Sequence, residues 1–138
     1  MFKDYDLFIG YTPIGDEPDF SSFLKTEGIT TEVVRLPVTR EGDPVAAASM
    51  LAAAHPHKKI CILVPGQEFD SRGTRHGRGG GWYDRFLASV PRGWFRVGVL
   101  PSARLSKTDL AREIWDEPMD MLLIEYGDGW KVLKMETA

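Results

Sequence analysis

The chain has 138 residues, of which 43% are hydrophobic and 27% charged, the composition of a globular protein large enough to bury a core. Its formal net charge of −3 excludes a general electrostatic attraction to nucleic acid or to an anionic membrane surface. A single cysteine, Cys61, excludes an internal disulfide, and no apolar run approaches the ~18 residues of a membrane span. We therefore expect one domain over residues 1–138, in the cytoplasm, because the polar start of the chain does not resemble a signal peptide.

Short apolar runs rich in β-forming residues are spaced along the chain and predict its strands. The first five predicted strands cover residues 6–11, 31–36, 60–64, 95–100 and 121–125. A tight turn that contains the pair Asp128-Gly129 then predicts a return strand over residues 130–135, which pairs antiparallel at the sheet edge.

Helix signals fall between these strands. The predicted helices cover residues 20–27, 45–54, 82–90 and 106–114, and residues 39–43 are predicted to form a loop. Asp19 and Asp43 can cap the first two helices, and Pro44 suits the first helical position. Ser106 opens a pattern typical of a capping box, with aspartate in place of glutamate, which predicts the last helix.

Strands that alternate with helices predict an α/β fold. We expect a three-layer sandwich with a mostly parallel central sheet and one antiparallel edge strand. In such sheets, ligands bind beyond the carboxyl ends of the strands. The segment that follows the third strand is therefore an expected place for a binding site.

That segment, residues 69–87, is unusual in composition, with five glycines, four arginines and two aspartates. Glycine lets the backbone approach a ligand closely, and arginine adds planar charged groups suited to phosphate or carboxylate. The segment matches neither the P-loop nor the dinucleotide-binding fingerprint. A glycine cluster can also be a purely structural loop, but the nearby Arg72, Arg75 and Arg78 favour an anion site.

Two aspartates, Asp84 and Asp116, are candidate magnesium ligands, because magnesium prefers one or two carboxylates together with phosphate oxygens and water. For Asp84, at the start of a predicted helix, the local pattern alone favours a capping or first-turn role. For Asp116, it favours a turn before Pro118. Glu17 is expected to be a solvated carboxylate, because most glutamates in proteins are exposed.

The aromatic pair Trp82-Tyr83 is expected to lie half in the core, with one ring able to stack on a base or a pteridine. His76 lies inside the same glycine-rich loop, where ligand contact and solvent exposure both remain open.

Three stretches of the sequence resemble one enzyme family, 5-formyltetrahydrofolate cyclo-ligase, also called 5,10-methenyltetrahydrofolate synthetase. The longest resembles the family signature and runs Val64-Pro-Gly-Gln-Glu-Phe-Asp70 and then Gly73-Thr-Arg-His-Gly-Arg-Gly-Gly-Gly-Trp-Tyr-Asp-Arg-Phe-Leu87. Tyr11-Thr-Pro-Ile-Gly-Asp-Glu-Pro-Asp19 resembles the family's early strand and loop with its glutamate. Trp115-Asp-Glu-Pro-Met-Asp120, followed by an apolar strand, resembles its late aspartate motif. The long signature is specific, so we expect a member of this family.

The resemblance implies an enzyme that uses ATP and magnesium to convert a reduced folate, 5-formyltetrahydrofolate, to 5,10-methenyltetrahydrofolate. In the family, ATP phosphorylates the formyl oxygen, the N10 nitrogen attacks, and phosphate leaves.

Carried over by position, the resemblance assigns overlapping sets of residues. The ATP-binding set is Arg75, His76, Gly77, Arg78, Gly79, Gly80, Gly81, Trp82 and Tyr83. The substrate-binding set is Thr12, Glu17, Arg78, Gly79, Gly80, Gly81 and Trp82. Arg75 and Arg78 are expected to be catalytic, and Asp84 and Asp116 to hold magnesium.

The sequence also departs from the family pattern. The family begins with a basic helix that contacts the nucleotide and the substrate, whereas this chain starts almost directly at its first strand. The stretch between the second and third strands is short and carries an alanine-rich helix, His76 replaces a usual leucine, and Trp82 replaces a usual tyrosine. We therefore expect an N-terminally shortened member with an incomplete nucleotide site and a reduced folate pocket.

Two alternatives follow from these departures. One is a non-catalytic or repurposed relative that binds a nucleotide, a folate or a phosphorylated metabolite without turning it over. The other is a homodimer in which a second copy of the chain fills the gap left by the absent helix.

Overall fold

The computed structural model describes residues 1–36 and 42–135 of the chain. The loop predicted over residues 39–43 lies largely outside these ranges. The strands are β1 (Leu7–Tyr11), β2 (Val33–Leu36), β3 (Ile60–Val64), β4 (Glu68–Phe69), β5 (Arg75–His76), β6 (Phe95–Pro101), β7 (Met121–Tyr126) and β8 (Gly129–Lys134). The helices are α1 (Ser21–Thr26), α2 (Pro44–Ala54) and α3 (Trp82–Ser89), with short 3-10 turns at Phe2–Asp4 and Ser102–Arg104.

Six of the strands form one sheet in the order β2-β1-β3-β6-β7-β8. Neighbouring strands are parallel except for the last pair, in which β8 returns antiparallel to β7. The small β4 and β5 form a separate antiparallel hairpin between β3 and α3. The predicted α/β fold with a mostly parallel sheet and one antiparallel edge strand is therefore confirmed.

The two faces of the sheet bury separate apolar clusters, because successive side chains of a strand point to opposite faces. Along β3, Ile60 and Ile62 belong to the cluster that includes Phe86 and Leu87 of α3. Cys61 and Leu63 of the same strand, together with the aromatic and aliphatic residues of α1, belong to the other cluster. Helices thus cover both faces, which gives the three predicted layers.

The start of α2 shows how local sequence determines an element. Asp43 accepts the N–H of Val45 through Oδ1 at 2.9 Å, which satisfies one of the free donors of the first turn. Pro44 occupies the first helical position, where its missing N–H costs nothing. Both expectations for this helix are confirmed.

The helix predicted over residues 106–114 is wrong. Ser106 accepts the N–H of Thr108 and donates to its carbonyl, which closes a tight turn instead of capping a helix. The N–H of Leu110 donates to a carboxylate oxygen of Asp70 at 2.8 Å, so it is not available for a helical bond. Contacts with a distant part of the chain therefore outweigh the local capping signal.

None of the helices within residues 1–36 and 42–135 combines the length and apolar character needed to cross a membrane.

Candidate active site

A cavity of about 650 Å³ opens where the chain leaves the carboxyl end of β3. Its walls come from the residues that follow β3, from β5 and the glycine-rich loop, from the first turn of α3, and from two single residues of distant loops. The lining residues are Glu17, Pro65, Gly66, Arg75, His76, Gly77, Arg78, Gly79, Gly80, Gly81, Trp82, Tyr83, Asp84, Arg85 and Asp116. All residues of the predicted ATP-binding, substrate-binding, catalytic and magnesium groups except Thr12 therefore lie around one volume.

Arg75 is a buried cation in the cavity wall, with a residue exposure of 8%. Its Nε donates to the carbonyl of Pro65 at 2.6 Å, and its guanidinium carbon lies 4.9 Å from the centre of the Tyr83 ring. Gly77 packs against the guanidinium so closely that a Cβ there would lie 2.9 Å from Nη2. These contacts hold a planar cation in one place, which suits the binding of an anion through two oxygens.

The glycine-rich loop reaches α3 through Gly79, Gly80 and Gly81, whose φ angles are 101°, 78° and 65°. Residues other than glycine rarely adopt this left-handed backbone conformation. Among the described residues, no side chain caps α3 at Gly81, so the N–H groups of its first turn have no side-chain acceptor there. A helix start with this arrangement favours phosphate or carboxylate.

Glu17 is buried, so the expectation of a solvated carboxylate is wrong. Its side chain is 4% exposed, and Oε1 accepts the N–H of Ile14 at 3.0 Å. Oε2 lies 3.5 Å from Nη2 of Arg78, a residue 61 positions further along the chain. The pair ties the loop after β1 to the glycine-rich loop, and Arg78 keeps 39% of its side chain exposed.

The neighbour of Glu17, Asp16, fixes the same loop from outside. Arg104 donates through Nε to Oδ2 of Asp16 at 2.8 Å and through Nη1 to the carbonyl and the side-chain oxygen of Gln67. The hydrogen bond from Arg104 lowers the pKa of Asp16. The loops that follow β1 and β3 are thus linked through one guanidinium.

Asp84 and Asp116 both line the cavity. Asp84 lies in the first turn of α3, and its Oδ1 accepts the N–H of Glu117 at 3.3 Å rather than one from its own helix. Oδ2 of Asp116 accepts the N–H of Glu113 at 2.8 Å, which closes the expected turn. Each of these bonds uses one carboxylate oxygen, so lone pairs remain for a cation.

The donor set fits a magnesium ion that keeps other ligands. In the described part of the chain, no group of three or more His, Cys, Asp and Glu side chains could hold a metal by itself. Magnesium is usually bound by one or two carboxylates together with phosphate oxygens and water, which is the arrangement that two aspartates beside an anion loop allow.

The aromatic residues of the loop lie partly in the core, as expected. The ring of Trp82 stacks on Phe86 at 5.2 Å and meets Tyr83 edge to face, and both Trp82 and Tyr83 also line the cavity. The indole Nε1 of Trp82 is buried and has no hydrogen-bond partner among the described residues. His76 lines the cavity, while its Nε2 lies 2.7 Å from the carbonyl of Ala111.

Two residues singled out in the sequence lie away from the cavity lining. Thr12 donates to the carbonyl of Leu36 at 3.3 Å. Arg72 donates to the carbonyl of Leu110 and is not part of the cavity lining that contains Arg75 and Arg78. The expectation that Arg72 groups with Arg75 and Arg78 is therefore wrong.

Sequence reasoning also omitted Pro65, Gly66 and Arg85 from the site. All three line the cavity. Pro65 and Gly66 directly follow β3, so the rule that ligands bind beyond the carboxyl ends of strands could have found them. Arg85 lies one residue beyond the predicted magnesium ligand Asp84.

Comparison with known proteins agrees with the resemblance seen in the sequence. The sequence model of the 5-formyltetrahydrofolate cyclo-ligase family matches residues 10–125. A 5-formyltetrahydrofolate cyclo-ligase from Mycoplasma pneumoniae is 31% identical over 68 residues, which are 49% of this chain and 40% of that protein. The match therefore spans less than half of the length of this curated relative.

Two solved structures are similar in fold. One is the NMR structure of Aquifex aeolicus 5,10-methenyltetrahydrofolate synthetase, with a TM-score of 0.66 and 24% identity over 99% of this chain and 75% of that chain. The other is a 5,10-methenyltetrahydrofolate synthetase from Mycoplasma pneumoniae, with a TM-score of 0.57 and 22% identity over 86% of this chain and 72% of that chain. Since the family match extends from the end of β1 to the end of β7, the chain belongs to the 5-formyltetrahydrofolate cyclo-ligase family.

Proposed function

We propose that this protein uses ATP and magnesium to convert 5-formyltetrahydrofolate to 5,10-methenyltetrahydrofolate. The observation that carries the proposal is the cavity after β3, which gathers the family signature around one volume. Arg75 and Arg78 supply positive charge there, and Asp84 and Asp116 supply carboxylates. Membership of the family makes folate conversion the activity that this site supports best.

The reaction needs two displacements. The formyl oxygen of the substrate attacks the terminal phosphorus of ATP, and ADP leaves. The N10 nitrogen then attacks the activated formyl carbon and loses its proton, and the former formyl oxygen departs as part of phosphate. Phosphoryl transfer of this kind depends mainly on positioning and on neutralisation of charge.

In this proposal, the ATP phosphates bind along residues 75–83, where Arg75 and Arg78 neutralise the transferred phosphoryl group. Magnesium, when held by Asp84 and Asp116, supplies further positive charge to the phosphates. Glu17 and residues 78–82 contact the reduced folate. Thr12 is assigned to the folate by the resemblance alone, since it lies outside the cavity lining.

The test is the absorbance of 5,10-methenyltetrahydrofolate after the protein is mixed with 5-formyltetrahydrofolate, ATP and magnesium chloride. We expect product with all three components and none when ATP or magnesium is omitted. Arg75→Gln should lower the rate by about 10²- to 10³-fold, the usual effect of losing one charge-stabilising donor. Arg92→Gln is the matched control, because Arg92 is exposed and outside the cavity. No product from the unaltered protein at high concentration would contradict the proposal.

Calorimetry with ATP, reduced folates and inorganic phosphate separates turnover from binding. Binding without product would support the alternative of a repurposed relative that holds a nucleotide, a folate or a phosphorylated metabolite. If none of these compounds binds, both the enzymatic hypothesis and the hypothesis of a repurposed relative are contradicted.

The homodimer also remains a prediction, and light scattering at micromolar concentration tests it. A dimer has twice the chain mass of 15.5 kDa. A mass equal to that of one chain would remove the possibility that a second copy completes the site.

A further inference from the structure

The segment of residues 105–120 carries a cavity residue but has no helix or strand of its own within the described structure. Its central residues are exposed: Ile114 is 97% and Trp115 is 65% exposed. Few buried apolar contacts and much exposed backbone are the features of a segment that opens easily. Nevertheless, Asp116 lies at the cavity, so other contacts must hold the segment in place.

Arg96 binds Glu117 at 2.8 Å, and the N–H of Met119 donates to the carbonyl of Gly73 at 2.8 Å, so the end of the segment is held to β6 and to the turn after β4. Its first half is held by Asp70, whose side chain is 1% exposed. Oδ1 accepts the N–H groups of Arg72 and Thr74, each at 3.0 Å, and so closes the turn between β4 and β5. Oδ2 accepts the N–H of Leu110 at 2.8 Å, across a sequence separation of 40 residues. We call these three bonds the Asp70 clamp. One buried carboxylate thus binds the hairpin of the cavity wall to the irregular segment.

Charge and hydrogen bonding agree on the state of Asp70. Burial by itself raises the pKa of this carboxyl group, but the N–H groups of Leu110, Thr74 and Arg72 outweigh that effect and leave the pKa below its ordinary value. Nη2 of Arg72 adds a positive charge 3.7 Å from Oδ2. The clamp is therefore made by an ionised carboxylate at neutral pH, and such hydrogen bonds are stronger than neutral ones.

Further hydrogen bonds join the β4–β5 hairpin to the segment of residues 105–120, with donors on both sides. Arg112 donates through Nε and Nη2 to Oγ1 of Thr74, at 3.1 Å and 2.7 Å, and through Nη2 to the carbonyl of Arg72. Arg72 in turn donates to the carbonyl of Leu110. The last residue of these contacts, Arg112, lies four residues before Asp116. Asp116 is followed by Glu117, whose N–H donates to Asp84.

We propose that Asp70 is a positioning residue, which anchors residues 105–120 on the β4–β5 hairpin and so places Asp116 at the cavity. The part of this inference that concerns ligand binding rests on the proposed function. The anchoring itself does not, because it is a property of the protein without ligand.

Asp70→Asn is the decisive variant. Asparagine keeps one oxygen for the N–H groups of Arg72 and Thr74, but it turns an NH₂ group toward the N–H of Leu110. Hydrogen–deuterium exchange of the protein without ligand should show exchange over residues 110–116 at least about tenfold faster, the effect of losing a hydrogen bond to a charged group. The strands of the main sheet should remain the most protected part of the protein. Unchanged exchange over residues 110–116 would overturn the proposal.

Two further variants make the result specific. Asp109→Asn is the matched control, because Asp109 lies on the same segment, is 67% exposed and pairs with Nε of Arg72 at 3.4 Å without contributing to the three bonds of the Asp70 clamp. It should leave the exchange of residues 110–116 unchanged. Arg112→Ala removes the hydrogen bonds to Thr74, and because Arg112 is exposed the substitution leaves the apolar core intact. It should speed exchange over residues 110–116 by a smaller factor than Asp70→Asn does. Equal effects of all three substitutions would contradict a specific role for Asp70.

The second readout is the magnesium concentration that gives half-maximal ATP binding in calorimetry. Asp70→Asn should raise this concentration by about 10-fold or more, as expected for a residue that orients a metal ligand, while binding at saturating magnesium recovers. A purely structural loss would lower the fraction of competent protein without moving the magnesium dependence, and that result would overturn the positioning role. Absence of ATP binding in the unaltered protein would count against the proposed function, and the exchange result would then decide the anchoring by itself.

Discussion

Two glycines show how differently the sheet and the cavity of this molecule are built. In β6, the space beside Gly98 is filled by Phe69 and Leu122, so that a Cβ would lie 2.5 Å and 2.8 Å from their carbon atoms. At the cavity, the space beside Gly77 is filled by the guanidinium of Arg75. The sheet depends on apolar packing, and the cavity depends on the placement of charge. Stability and ligand binding should therefore respond to different substitutions.

The largest effect is expected from Gly98→Ala. The added methyl group overlaps the buried ring of Phe69 and the side chain of Leu122, and neither can move into open space because both residues are fully buried. Overpacking of this kind costs about 1–3 kcal/mol and sometimes more. Urea unfolding measures the loss, and Gly127→Ala, which meets no atom within 4 Å, is the control. Equal stability of the two variants would contradict the packing described for the sheet.

Asp84→Ala should act on the site and spare the fold. Asp84 lies in the first turn of α3, where its Oδ1 accepts the N–H of Glu117, so its loss removes no side-chain hydrogen bond to the start of that helix. We expect the affinity for ATP with magnesium to fall by about 10- to 100-fold in calorimetry. The thermal unfolding temperature should change little. Unfolding without loss of affinity in the folded fraction would instead favour a capping role.

Gly77→Ala is the counterpart of the sheet substitution and should have a smaller effect on stability. The new methyl group would lie 2.9 Å from Nη2 of Arg75, whose Nε is held by Pro65, so the guanidinium must tilt. We expect the affinity for ATP to fall by about tenfold, because a bidentate contact depends on the orientation of the fork. Circular dichroism should confirm an unchanged fold. An unchanged affinity would mean that Arg75 does not contact the ligand.

The smallest effect concerns pH. The pKa of Asp70 is lower in the folded protein than its ordinary value of 3.8, so its ionised form stabilises the fold above that pH. This contribution is lost as the pH falls below about 4 and through the folded-state pKa. In urea unfolding, the gap in stability between the unaltered protein and Asp70→Asn should narrow as the pH is lowered from 6 toward 3. A constant gap would contradict an ionised Asp70.

The elements that the sequence predicts well are those with local causes. The apolar run of β3 was located to the residue, and the cap of α2 is the predicted Asp43. The loop that lines the cavity is also predictable, because residues 75–84 are contiguous in the sequence. In these cases, the residues close by in the sequence are enough to predict the structure that each residue adopts.

The features that the sequence did not predict depend on contacts between distant residues. The helix expected over residues 106–114 does not form because Asp70 takes the N–H of Leu110, 40 residues away. Glu17 is buried because it lies against Arg78, 61 residues away. No local sequence pattern predicts either contact. The sequence around a carboxylate near a turn is the same whether the partner of that carboxylate is water or a group far along the chain.

The most direct test of the central claim is backbone NMR of the protein titrated with magnesium and a non-hydrolysable ATP analogue. The chain of 15.5 kDa is small enough for residue-by-residue assignment. We predict that the largest shifts of the amide signals fall on residues 75–85 and on Asp116, and that they require magnesium. Shifts that cluster elsewhere, such as the smaller groove formed by Met1, Glu27 and Val132, would contradict the account, as would the absence of any shift.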